Sequence, residues 1–222
     1  MVKSVFLSLV CIVIMLLFVG CAPEHSSAPE IIGETNYDYH YEPIDIPRVP
    51  DIKIPHSSGG IPAEWYPPKG VEHNWKMIVI HHSASEFGNA AIFDDWHKQR
   101  NWKGVGYDFV ICNGNAELDG VIETTFRWKE QIAGAHVGGT PNNNANVYGI
   151  GICLVGDFNS KAPTTKQMDS LVKLVKFLQQ RYNIPTSNIY GHGNTPGYTG
   201  GTECPGKNFP MWQLKQRLNS SY

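Results

Sequence analysis

The strongest constraint on the fold is a single stretch, MIVIHHS from Met77 to Ser83. Its first four residues are continuously apolar, with three of them β-branched, and the stretch is only strand-long, which is the pattern of a strand buried on both faces. Such a strand requires helices above and below it. The flanking sequence supplies them: Asn89 to Arg100 predicts a helix with Ile92, Phe93 and Trp96 on one side. A second helix is predicted after the N-cap pair Thr164-Thr165. It places Met168, Leu171, Val172, Val175 and Leu178 on one stripe and stops at Asn183 and Pro185. Tyr107 to Cys112, Tyr148 to Val155 and Ile189-Tyr190 read as further strands, and Met211 to Leu218 as a last short helix. Strands alternating with helices predict an α/β fold with a central mixed β-sheet flanked by helices.

The N-terminus reads differently. Lys3 precedes an apolar run from Val5 to Gly20, which is shorter than the roughly 20 residues a membrane-spanning helix needs and ends at Gly20-Cys21. The FVGC junction resembles a lipobox, which makes residues 1–20 a lipoprotein signal peptide and Cys21 the lipidated N-terminus; an uncleaved anchor helix is the alternative. Both readings export the chain and hold it at a membrane. If the source has an outer membrane, Ala22 after the cysteine favours that destination. Residues 21–68 contain Pro43, Pro47, Pro50, Pro55, Pro62, Pro67 and Pro68 without helical periodicity, and are expected to be an extended tether. The folded domain is expected over 69–222.

Eighteen Lys and Arg against twenty Asp and Glu give a formal charge of -2, so the basic field that attracts nucleic acid is missing. Of the five cysteines, Cys112, Cys153 and Cys204 fall in the expected domain. That odd number makes a poor disulfide framework. Cys112 and Cys153 can pair only if their strands are neighbours.

His81, His192 and Cys204 each stand where a strand runs out into a loop, and imidazole and thiolate both suit zinc. Taken singly, each is ordinarily a packed residue, since nothing local brings them together. Their surroundings change the odds. IVIHHSA (78–84), WHKQRNWKGVGYDFVI (96–111), IAGAHVGG (132–139), YGIGICLVGDFN (148–159) and GHGNTPGYTGGTECPG (191–206) occur in the order seen in the zinc-dependent N-acetylmuramoyl-L-alanine amidases. The chain resembles this family, which includes phage lysozyme-type amidases and peptidoglycan recognition proteins, from about Lys76 to Leu218.

The resemblance implies a peptidoglycan recognition protein/amidase-like fold and one Zn²⁺ per chain, held by His81, His192 and Cys204 with a fourth position open to water. It implies hydrolysis, by zinc-activated water, of the amide between N-acetylmuramic acid and L-Ala of peptidoglycan or muropeptides, by a monomer. A non-catalytic peptidoglycan-binding lipoprotein is the alternative. Tyr107 matches the tyrosine beside the zinc, and Thr202 occupies a supporting position near Cys204. Cys153 stands where another branch carries a catalytic Glu. His136 matches a substrate-groove residue, and Arg127 is expected either to meet a stem-peptide carboxylate or simply to stand exposed at the surface. His97 is expected to pack with Trp96 near the groove wall and His82 to be structural. Asn142 to Asn144 reads as a turn suited to an amide-rich ligand.

Overall fold

The computed structural model describes residues 60–220. The expected signal segment, Cys21 and most of the tether lie outside the described residues. Five strands, β1 (Met77–His82), β2 (Phe109–Ile111), β3 (Ile122–Thr124), β4 (Gly149–Leu154) and β5 (Ile189–Gly191), form one sheet in the order β3-β2-β4-β1-β5. The pairs β1·β4, β1·β5 and β2·β4 are parallel, and β2·β3 is antiparallel. The sheet is therefore mixed, as expected from the alternation of elements. Around it lie α1 (Ala90–Lys98), α2 (Phe126–Glu130), α3 (Asn144–Tyr148), α4 (Thr165–Tyr182) and α5 (Met211–Asn219). Among the described residues no helix is long and apolar enough to cross a membrane.

Successive side chains of a strand point to opposite faces, and this period divides the molecule. Ile78 and Ile80 of β1, with Ile150, Ile152 and Leu154 of β4, meet Leu171, Leu174, Val175 and Leu178 of α4 in the main core. Burying each such side chain fully stabilises the fold by about 1.5–3 kcal/mol. Val110, Cys112, Cys153 and Val155 face the other way, toward Phe93 of α1. His81 and Cys153 are in-register partners on adjacent strands and share this second face. His82 points to the α4 face, as its place in the alternation predicts, and accepts a hydrogen bond from Phe158 N at 3.0 Å.

Helix α4 begins on a full capping box, Thr164 Oγ1 accepting from Gln167 N and Gln167 Oε1 from Thr164 N. The Gln167 amide also donates to Ile111 O and Val155 O, so the same residue ties the helix start to the ends of β2 and β4. Asn183 closes the helix in the left-handed conformation, where an Asn is tolerated.

Two expectations need correcting, and one open question is answered. The tether was expected to run to residue 68, yet Trp65 is buried against Phe177 and its carbonyl accepts from Trp128 Nε1 at 3.2 Å. A large apolar ring near the end of a polar stretch finds the core, so folded structure begins before residue 69. Strand β2 is shorter than Tyr107 to Cys112, and helices α2 and α3, five residues each, were not anticipated. Both short helices lack a long amphipathic repeat; α2 is started by the Thr125 side chain. Cys112 and Cys153 do lie on neighbouring strands, but the partner of Cys153 in the register is Val110, and both thiols are free.

Candidate metal centre

Because β1 and β5 run parallel with Ile80 opposite Gly191, the residues that follow each of them, His81 and His192, emerge side by side at the C-terminal edge of the sheet. Ligand sites in open α/β sheets form at this edge. The two rings lie 4.8 Å apart. A loop then returns Cys204 to them, held by Gly193 N donating to Cys204 O at 2.8 Å. Gly193 is needed there because a Cβ would run into the backbone carbonyl of Thr202. Thr202 Oγ1 accepts from Cys204 N at 3.2 Å, so this side chain orients the cysteine backbone.

The donor atoms of His81, His192 and Cys204 all lie within 4.8 Å of one another, and all three residues are buried. His81 Nδ1 is 3.7 Å from Cys204 Sγ. Zinc bonds of about 2.0–2.1 Å to nitrogen and 2.3 Å to sulfur in a tetrahedron would hold two such donors about 3.5 Å apart. Both ring nitrogens of His192 are buried without a hydrogen-bond partner, a costly state for a polar group unless something else satisfies it. Two imidazoles, one of them with a ring nitrogen left for an ion to satisfy, and a thiol fit a zinc ion.

Electrostatics favours neutral imidazoles here. Burial, then the neighbouring histidines, lowers the pKa of His81 well below the ordinary value. Burial, then His82, lowers His192 to about 4. Burial raises the Cys204 thiol to about 12, so without a cation the sulfur keeps its proton.

Tyr107 lies in the chain just before β2, with its ring centroid 5.1 Å from that of His81. Its phenol is held well above the ordinary value by burial and then by the thiols of Cys153 and Cys204, so it is a proton donor throughout the neutral range. The close approach of this segment to the 134–137 loop depends on Gly106, where a Cβ would collide with Ala135 O.

Two expected substrate contacts are placed elsewhere. The Arg127 guanidinium is turned inward, donating to Val105 O and Ala133 O at 2.6 Å each, and the residue is only 7% exposed. A cation committed to buried carbonyls is not presented to a stem-peptide carboxylate. His136 has no exposed surface and sits behind His81, its Nδ1 3.0 Å from His81 Nε2. Burial is also the main cause that lowers its pKa to about 3. The Asn run does make a turn: Asn142 and Asn143 are both left-handed and lead into α3.

His97 packs against Trp102 and not Trp96, because adjacent residues on a helix point in different directions. Its Nδ1 accepts from Gly106 N at 3.1 Å. Burial, then the charges of Arg100 and Arg127, lowers its pKa to about 4, against partial opposition from Asp94 and the Gly104 backbone. Between pH 6.5 and 4 the unfolded ring binds a proton that the folded ring refuses. This contribution is therefore present above pH 6.5 and is lost as the solution is acidified. We expect His97→Gln to flatten the stability profile by about 1 kcal/mol per pH unit between pH 6 and 5. Urea unfolding of the chelator-treated variant and wild type at both pH values measures this, and parallel profiles would refute it.

Two further residues lie inside the ordered blocks but were given no role from the sequence. Tyr198 lies tilted against His192, with ring centroids 4.7 Å apart and an interplanar angle of 58°. Asp108 is fully buried, its Oδ2 accepting from Gly151 N at 2.8 Å and its Oδ1 without a partner. Burial is the main cause that raises its carboxyl to about 7.

A family model described as N-acetylmuramoyl-L-alanine amidase matches residues 71–207. The endolysin of Enterobacteria phage T3 is 30% identical over 155 residues, covering 66% of this chain and 90% of its own. Among solved structures, the N-acetylmuramoyl-L-alanine amidase LysC from Clostridium intestinale is 34% identical, covers 67% of this chain and 88% of its own, and has a TM-score of 0.56. A Drosophila PGRP-LB mutant, solved in complex with tracheal cytotoxin, is 25% identical, covers 72% and 94%, and has a TM-score of 0.50. The matched span holds β1 to β5, the paired histidines and the returning cysteine, and on that ground the chain belongs to the N-acetylmuramoyl-L-alanine amidase family.

Proposed function

We propose that this protein is an exported, membrane-anchored zinc amidase that hydrolyses the bond between the lactyl group of N-acetylmuramic acid and L-Ala of peptidoglycan or muropeptides. The observation that carries the reading is the convergence of His81, His192 and Cys204 beside Tyr107, in a chain of the amidase family. His81, His192 and Cys204 would hold the ion, and Thr202 fixes the Cys204 backbone. Zinc, when bound, lowers the pKa of a water molecule and polarises the scissile carbonyl. The Tyr107 phenol donates a hydrogen bond to the oxygen that gains charge as the amide carbonyl is attacked, an interaction strongest when that charge forms. The amidase relative from Clostridium and the tracheal cytotoxin complex of PGRP-LB support a muropeptide as the ligand class.

Export and lipid anchoring rest on Lys3, the Val5–Gly20 run and Cys21. A tether and a lipid would confine the enzyme near the wall it cuts. The test is mass spectrometry of peptidoglycan digested by detergent-extracted, full-length protein. Expected products are glycan strands bearing a free lactyl carboxyl group and stem peptides with a new N-terminal L-Ala, from a protein that carries fatty acid on Cys21. Cleavage within the sugar chain or the stem would exclude this amidase. Wall binding with one zinc equivalent and no cleavage would identify a recognition module instead.

A further inference from the structure

His136 has a hydrogen-bond partner at each ring nitrogen, and both partners are defined. Its Nε2 lies 3.2 Å from the backbone oxygen of Gly149. A carbonyl can only accept, so His136 Nε2 carries the hydrogen, and a neutral imidazole has just one. Its Nδ1 is then an acceptor, 3.0 Å from His81 Nε2, which must therefore be the donor. That leaves the lone pair of His81 on Nδ1, the atom 3.7 Å from Cys204 Sγ. The order of donors runs from the cluster back to one β4 carbonyl without a free choice.

The surroundings hold this arrangement in place. The His136 ring lies between Gly134 and Gly151, and a Cβ at either position would collide with it. Asn146 Oδ1 accepts from the backbone N–H groups of both His136 and Val137, at 2.8 and 2.9 Å, while its amide donates to Val137 O at 3.0 Å. The backbone of Asn146 also accepts from Gly134 N at 2.8 Å. Ring and backbone are thus fixed separately.

We infer that His136 is a positioning residue, which uses the Gly149 carbonyl to lock His81 in the tautomer that presents Nδ1 to the metal. The inference rests on the zinc reading above and deepens it: the buried partner of a ligating imidazole sets its tautomer and orientation, and such partners are commonly worth 10–100-fold in metal affinity.

The test has two parts. In chelator-treated full-length protein, long-range ¹H–¹⁵N NMR of the histidine rings should find the hydrogen of His81 on Nε2 and that of His136 on Nε2. Zinc affinity, read by competition with a chromophoric chelator, should weaken about 10–100-fold in His136→Leu. In His136→Asn, nearly the same shape as Leu but with an oxygen near the Nδ1 position, it should stay within roughly threefold of wild type. A hydrogen on His81 Nδ1, or equal weakening by Leu and Asn, would overturn the inference. The wild-type spectrum decides even if a variant fails to fold. A wild type that takes up no zinc would defeat the zinc reading and leave the tautomer measurement standing as a separate result.

Discussion

Replacing Cys204 by serine is expected to strip the protein of its zinc and lower amide cleavage by about 10³-fold or more, equivalent to roughly 4 kcal/mol of transition-state stabilisation. The substitution exchanges one atom in a buried loop that is held by its backbone, through Gly193 N to Cys204 O and Cys204 N to Thr202 Oγ1, so the fold should persist. What changes is the donor. A thiol deprotonates when it meets zinc and a borderline-soft ion binds sulfur well, whereas a serine hydroxyl is a poor ligand that keeps its proton. Wild type should carry one zinc equivalent by elemental analysis, lose activity to a chelator and regain it with added zinc. The serine variant should carry much less and should not be rescued. A variant that retained both a full zinc equivalent and wild-type cleavage would remove Cys204 from the centre.

Tyr107→Phe should separate metal binding from chemistry. The ring is buried in the second core beside Phe93 and Val105, and phenylalanine keeps that packing. Zinc content and thermal midpoint should therefore stay near wild type, while kcat falls about 10²–10³-fold with little change in KM, the signature of a hydrogen bond made chiefly in the transition state. Because burial and the two thiols hold the phenol well above the ordinary value, it remains protonated and the deficit should be constant between pH 6 and 8. Unchanged kcat would show that the hydroxyl is a packing feature. A deficit confined to KM would assign it to substrate binding instead.

Much of this was legible in the residues, and the legible parts share a cause. The β1 run and the stripe of Met168, Leu171, Val172, Val175 and Leu178 on α4 report burial directly, because burial selects apolar side chains at the period of the backbone. The start of α4 at Thr164 and its end at Asn183 were equally readable, since caps are local chemistry. Arg127 and His136 were not. Both sit in blocks that resemble the amidase family, yet one ring nitrogen and one guanidinium turn inward to carbonyls supplied by Val105, Ala133 and Gly149. Backbone carbonyls leave no mark on composition or spacing. Trp65 was likewise hidden within a polar, Pro-rich stretch, because its partners Phe177 and Trp128 lie far along the chain.

The sequence determined the α/β alternation and the α4 boundaries, and its ordered blocks singled out His81, His192, Cys204 and Tyr107 as the candidate site. Those features depend on local periodicity, capping and ordered motifs. Only the tertiary structure decided that His81 offers Nδ1 to the cluster, that His136 stands behind it and that Arg127 is part of the core. Each of these is set by the register of parallel strands and by a backbone oxygen brought near from a distant segment, and the chain acquires such neighbours only by folding.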